Sequence, residues 1–152
     1  MLRERLNEEL KKAMLAKEQL ATATLRLILA ALKDRDIAAR GKGQSDGIGE
    51  DEILSMLQTM IKQRRESIEM YEKGGREDLA RREGDEIAVI ERFLPEQMGD
   101  AETEAAIKAA IESTGASGLK EMGKVMAALR EQYAGQMDFA KAGKIAKDLL
   151  SG

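Results

Sequence analysis

Apolar residues recur along this 152-residue chain at intervals of three and four, the spacing that lines one face of an α-helix. Leu2, Leu6, Leu10, Ala13 and Met14 form a first stripe. Leu25, Ile28, Leu29 and Leu32 form a second, in a helix predicted from about Glu18 to Ala39. Gly41 to Gly49 holds too many glycines for regular structure and reads as a mobile surface loop. Ile53, Leu57, Met60, Ile61, Arg64, Ile68 and Tyr71 make a third stripe over Glu50 to Glu72. Its acidic start, Glu50-Asp51-Glu52, suits the positive end of a helix dipole. Gly74-Gly75 ends it, and Leu79, Glu83, Ile87, Ile90 and Leu94 continue with heptad-like spacing. The third and fourth stripes together predict an antiparallel hairpin of long helices.

Pro95 is the only proline. It predicts the stop of the fourth helix, because its ring clashes with the preceding turn. Glu96 to Gly99 reads as a hinge, and Asp100 as the N-cap of a short helix carrying Ile107, Ala110 and Ile111. Gly115 can end that helix in the left-handed conformation. Ser117 can cap the next, to about Gln132, and Asp138 the last, whose apolar face is Ala142, Ile145, Ala146 and Leu149. No segment alternates with the period of a strand. The pattern predicts an all-α chain of two lobes, residues 1–95 and 96–152, the second a three-helix tail.

Composition narrows the chemistry. The chain has no Cys and no His, so it has no thiolate nucleophile, no Ser-His-Asp triad and none of the usual zinc ligands. Four large rings and no Trp leave no stacking platform for single-stranded nucleic acid. A net charge of -3 argues against broad non-specific nucleic-acid binding but leaves room for local basic faces. Met1 to Arg5 reads as the start of an amphipathic helix, not as a signal peptide, and no apolar run reaches membrane-spanning length. The expectation is a cytoplasmic protein with no membrane association and no cofactor.

Gly118 to Lys124 matches the first seven positions of a phosphate-binding P-loop, G-x-x-x-x-G-K. The eighth position must be Ser or Thr to hold Mg²⁺, and here it is Val125. Met122, Val125, Met126 and Leu129 follow at helical spacing, so Gly123 falls inside a helix. Close approach of a neighbouring helix is the favoured reason for a glycine there, and a ligand against its backbone is the rival.

Taken together, several segments resemble the GatB/YqeY family. They are Leu25-Arg26-Leu27-Ile28 with Ala30-Ala31-Leu32-Lys33, then Lys62 to Ser67, Gly74 to Leu79, Leu94 to Met98, Thr114 to Ser117, and Met122 to Met126. The order and extent are those of a stand-alone YqeY-like protein. The resemblance implies an N-terminal antiparallel helical unit and a tail like that of the GatB component of the glutamine-dependent aspartyl/glutamyl-tRNA amidotransferase. There the tail contacts tRNA apart from the catalytic centre. The implied function is a non-catalytic module that assists tRNA-dependent amidation or aminoacylation, with tRNA, an aminoacyl-tRNA synthetase or an amidotransferase as partner. Alternatives are a carbon-nitrogen ligase, or its accessory subunit, with glutamine as amido-N-donor, and a protein-interaction adaptor. Such members often carry a basic, glycine-containing loop after Met122 to Met126. Here Leu129 to Asp138 keeps the turn at Gly135 but little of the charge.

The RNA-binding candidates are therefore Lys120, Lys124, Arg130, Lys141, Lys144 and Lys147, set against Glu121, Glu131, Asp138 and Asp148. Lys120 and Lys124 share a helix face, as do Lys144 and Lys147. If the faces adjoin they form a modest phosphate patch, and otherwise an ordinary solvated surface. No catalytic residue or metal ligand stands out. Pro95, Gly115 and Gly123 are structural candidates. Arg64 and Glu83 both fall on apolar stripes, which predicts an ion pair across the hairpin; an RNA-reading Arg64 is the rival.

Overall fold

The structure, a computed structural model, describes residues 1–151. Among the described residues seven α-helices follow one another: α1 (Leu2–Leu15), α2 (Gln19–Gly41), α3 (Glu50–Lys73), α4 (Glu77–Glu91), α5 (Asp100–Thr114), α6 (Met122–Tyr133) and α7 (Phe139–Ser151). A 3-10 turn, Leu119–Glu121, leads into α6. There is no strand among the described residues. The chain divides into two compact units, one ending at Leu94 and the other starting at Pro95.

In the first unit α1 pairs with α2, α3 with α4, and α4 packs on α2. The stripes read from sequence supply the core. Leu6, Leu25, Ile28, Ile53, Met56, Leu57 and Ile90 are all at most 1% exposed. Each such side chain contributes roughly 1.5–3 kcal/mol of hydrophobic stabilisation. The α1–α2 connection is only three residues long, and Lys17 takes the left-handed conformation within it, at φ 58°. Phe93 is buried after α4, with the Arg5 guanidinium 5.0 Å from its ring centre.

The glycine-rich loop departs from expectation. α2 runs to Gly41, and the end of the loop beyond it is tied to the body of the unit. Asp36 accepts two hydrogen bonds from Arg3 and a third, at 2.9 Å, from the Ile48 N–H. Arg3 also donates to the Ile48 carbonyl. Gly47 crosses directly over this pair at φ +83°, where a Cβ would lie 2.3 Å from Asp36 Oδ1. Only glycine fits there. The Leu2 N–H donates to Glu50 Oε1 at 2.9 Å, a second tie between the start of α1 and the start of α3. The end of the loop is thus anchored where its composition suggested a mobile segment, because a carboxylate on α2 and a guanidinium on α1 take up the backbone polar groups of Ile48.

Across the α3–α4 hairpin, Arg64 Nε donates to Glu86 Oε2 at 3.0 Å, while the nearest Glu83 oxygen is 4.0 Å away. Arg64 also donates to the Met60 carbonyl at 3.1 Å. Glu86 is thus the main partner, and Glu83 the outer member of the same cluster. The two carboxylates lie three residues apart on one helix face, so the pattern could not choose between them.

α4 ends at Glu91, before Pro95, and tight turns at Phe93 and Leu94 close it. The residues expected to form a hinge are partly held. Gln97 Nε2 donates to the Gly135 carbonyl and the Met98 N–H to the Gln136 carbonyl, both within the second unit.

In that unit α5, α6 and α7 enclose Ile107, Val125, Leu129, Met137, Ala142 and Ala146, all fully buried. Gly115 ends α5 at φ 68°, with the Ala116 N–H on the Ile111 carbonyl. Asp138 caps α7 by accepting from the Ala140 and Lys141 N–H groups. Two other caps differ from expectation. Gly99 holds the N-cap position of α5, and Asp100 is its first residue. Ser117 does not cap α6; its N–H and Oγ both donate to Glu121 ahead of that helix. The close-approach reading of Gly123 also fails, since a Cβ there would meet nothing within 4 Å. The helix contact falls at Gly143, where a Cβ would stand 3.7 Å from the Met122 methyl and 4.0 Å from that of Met126.

Candidate nucleic-acid interface

All six candidate cations of the second unit are exposed, but they do not form one cluster. Lys141 is paired with Asp100 on α5. Arg130 leans over Phe139, with its guanidinium carbon 5.9 Å from the ring centre. Lys120, Lys124, Lys144 and Lys147 have no carboxylate partner among the described residues.

The contact at Gly143 orders these four. Met122 and Met126 present one side of α6 to α7. Lys124 lies between them in sequence, about 200° around the helix from Met122 at ~100° per residue. It therefore points away from α7. Lys147 lies one turn beyond Gly143 and so flanks the α6-facing side of α7. Lys144 follows Gly143 and points outward. Lys120 belongs to the 3-10 turn, which packs against α7. By helical geometry Lys144 and Lys147 lie on the exposed side of α7, Lys120 lies in the turn that packs against that helix, and Lys124 lies on the side of α6 turned away from α7. The expected union of the two lysine faces is thus only partial.

Gly123 sits on open surface near the start of α6. In the first unit Arg64 is largely buried against Glu86, which removes it from any surface role. Two ion pairs have shifted ionisation. The Asp36 carboxyl is held below its usual range by the Arg3 hydrogen bonds and then, against the cost of its burial, by the Ile48 N–H. The exposed Asp78 carboxyl is lowered by hydrogen bonding to Arg76. Both pairs belong to the first unit.

The Arg3–Asp36–Ile48 cluster escaped sequence reasoning, although a signal existed. Asp36 continues the buried line Leu25, Ile28, Leu32 toward Ala39, so a carboxylate at that position had to find a partner.

Compared with known proteins, residues 3–150 match the family described as Yqey-like protein. The chain belongs to that family. Curated relatives include the mitochondrial protein named "Altered inheritance of mitochondria protein 41" from Lachancea thermotolerans, 38% identical over 89 residues. That alignment covers 59% of this chain and 46% of the relative. The protein of the same name from Kluyveromyces lactis is 35% identical over 88 residues, 58% of this chain and 45% of its own length. One from Saccharomyces cerevisiae is 33% identical over 89 residues, again 59% and 46%. The matched part spans less than half the length of these relatives. Their names call them mitochondrial, which overturns the expected cytoplasmic location. Among the described residues no helix is long and apolar enough to cross a membrane.

Proposed function

We propose that this YqeY-like chain is a non-catalytic module that contacts tRNA through its second unit and so assists tRNA-dependent amidation or aminoacylation. What supports the reading is that the exposed ammonium groups of Lys120, Lys144 and Lys147, on α7 and on the 3-10 turn packed against it, have no carboxylate partner among the described residues. Ammonium groups without carboxylate partners are available to phosphates, and phosphate contacts position a protein on RNA without reading sequence. Lys141 and Arg130, held by Asp100 and Phe139, contribute less. With about three phosphates neutralised, binding should be micromolar or weaker, with a log–log salt slope of about -2 to -3. Titration of labelled tRNA over a range of salt concentrations tests this. No binding at low salt would contradict it. Turnover of glutamine or ATP by the purified chain, on the order of 1 s⁻¹ or faster, would contradict the non-catalytic part.

A further inference from the structure

The outward face of α2 exposes apolar side chains beside a row of cations. Its buried side is Ala21, Thr24, Leu25, Ile28, Leu32, Asp36 and Ala39. The opposite side, at ~100° per residue, carries Ala23, Leu27, Ala30, Asp34 and Ile37. Leu27 is 50% exposed and Ile37 55% exposed. Along one edge of this stripe run Arg26, Lys33 and Arg40, two helical turns apart from one another. None of the three forms a direct ion pair among the described residues, although Arg40 acts through space on the buried Asp36. Arg26 reaches only the Met14 sulfur, at 4.0 Å, and Arg40 donates to the Ser45 carbonyl, at 3.3 Å. Leu27 and Ile37, with the small Ala23 and Ala30 and with exposed Asp34 between them, make a part-apolar stripe bordered by cations that form no direct ion pair among the described residues, a surface suited to docking a helix.

We propose that this face docks a helix of another protein, one whose apolar stripe is bordered by a row of carboxylates. Charge complementarity selects that occupant over a second copy of the chain. In an antiparallel two-fold pairing of α2 helices the Arg26–Lys33–Arg40 edge meets itself, and three cations face three cations. In a parallel pairing that edge meets the opposite one, Ala31, Arg35 and Ala38, which offers no carboxylate. Like charges along a seam reject a partner as effectively as opposite charges select one. The apolar side chains fix where the partner helix lies, and the three cations fix which helix it is and its direction.

The test uses the full chain and two designed, helix-stabilised peptides of about 20 residues, long enough to cover the face. Both carry the same Leu/Ala stripe; one borders it with Glu and the other with Lys. Fluorescence anisotropy should show the Glu peptide binding at least tenfold more tightly, a difference of about 1.4 kcal/mol. Replacing Arg26, Lys33 and Arg40 with Glu should reverse the preference. Ile37→Glu should abolish binding of both peptides. Control replacements of the same sign on α3 and α4, Lys62→Glu and Arg81→Glu, should leave the preference intact. Circular dichroism checks that each variant is folded; all of these side chains are exposed. Equal affinity for the two peptides, binding of neither, or a preference unmoved by the reversal would overturn the proposal. So would self-association of the wild type that Ile37→Glu removes, or binding to anionic phospholipid vesicles that the same variant loses; the occupant would then be a second copy or a membrane surface.

Discussion

Arg3 and Asp36, thirty-three residues apart, grip each other through two parallel hydrogen bonds, Nη1 to Oδ2 at 2.6 Å and Nη2 to Oδ1 at 2.8 Å. This two-pronged geometry is the strong form of a guanidinium–carboxylate pair. The Ile48 N–H on the same carboxylate extends the pair to the glycine-rich loop. One buried carboxylate thereby ties α1, α2 and the approach to α3.

Gly47 is the residue that lets the loop cross this pair. Gly47→Ala would put a Cβ into the Asp36 carboxylate and force a side chain into left-handed backbone. The expected loss is about 2–5 kcal/mol, from roughly 1–2 for the backbone and 1–3 for the disrupted hydrogen bonds. Gly43→Ala, also at positive φ but with open space around it, should lose only the backbone part. Thermal unfolding followed by circular dichroism compares the two variants. Equal losses would mean that the close approach at Gly47 is unimportant.

Asp36 also sets an acid limit. Its folded pKa lies below the ordinary carboxylate value of 3.8. The stabilisation it gives is therefore complete above that value. It is lost as the pH falls through the lower folded value, where protonation breaks the pair. Urea denaturation from pH 6 down to about pH 2 should show a stability loss below about pH 4 that is smaller in Asp36→Asn. An identical acid profile in that variant would show that other carboxylates carry the effect.

Arg64 tests the hairpin. Truncating it to Met leaves Glu86, 9% exposed, without its nearest cation; Arg82 remains only at 3.8 Å. Breaking a buried pair from one side typically costs about 3–5 kcal/mol, whereas replacing both partners with apolar residues is often neutral. Arg64→Met should therefore be strongly destabilising, and Arg64→Met with Glu86→Leu largely restored. A double variant no better than the single one would argue against the pair as the reason.

Gly123 separates structure from ligand contact. A Cβ there meets nothing, so Gly123→Ala should raise stability by about 0.5–1 kcal/mol through helix propensity alone. A loss of stability would revive the close-approach reading. Unchanged stability with weakened RNA binding would point to a ligand against that backbone.

Much of the fold was legible because burial forces apolar residues into helical spacing. The stripes at Leu25–Leu32 and Ile53–Ile61 are the core of the first unit, and those at Ile107 and Ala142–Ala146 lie in that of the second. The errors fell where a residue's role depends on a distant neighbour. Gly41–Gly49 looks mobile until Asp36 and Arg3 are placed beside it. Gly123 and Gly143 are both helical glycines, and only the tertiary fold shows that Gly143 is the one meeting Met122. The lysine surface was half legible. Spacing grouped Lys144 with Lys147, but only the α6–α7 contact shows that Lys124 faces elsewhere.

The most direct measurement is a titration of labelled tRNA, at low salt, against the wild type, a Lys120→Ala/Lys144→Ala/Lys147→Ala variant and Lys124→Ala. The triple variant should bind at least about tenfold more weakly, since each lost phosphate contact removes part of a purely electrostatic affinity, and equally so for every tRNA tried. Lys124→Ala should bind nearly as the wild type does. Superimposable curves for the wild type and the triple variant would contradict the proposed RNA role.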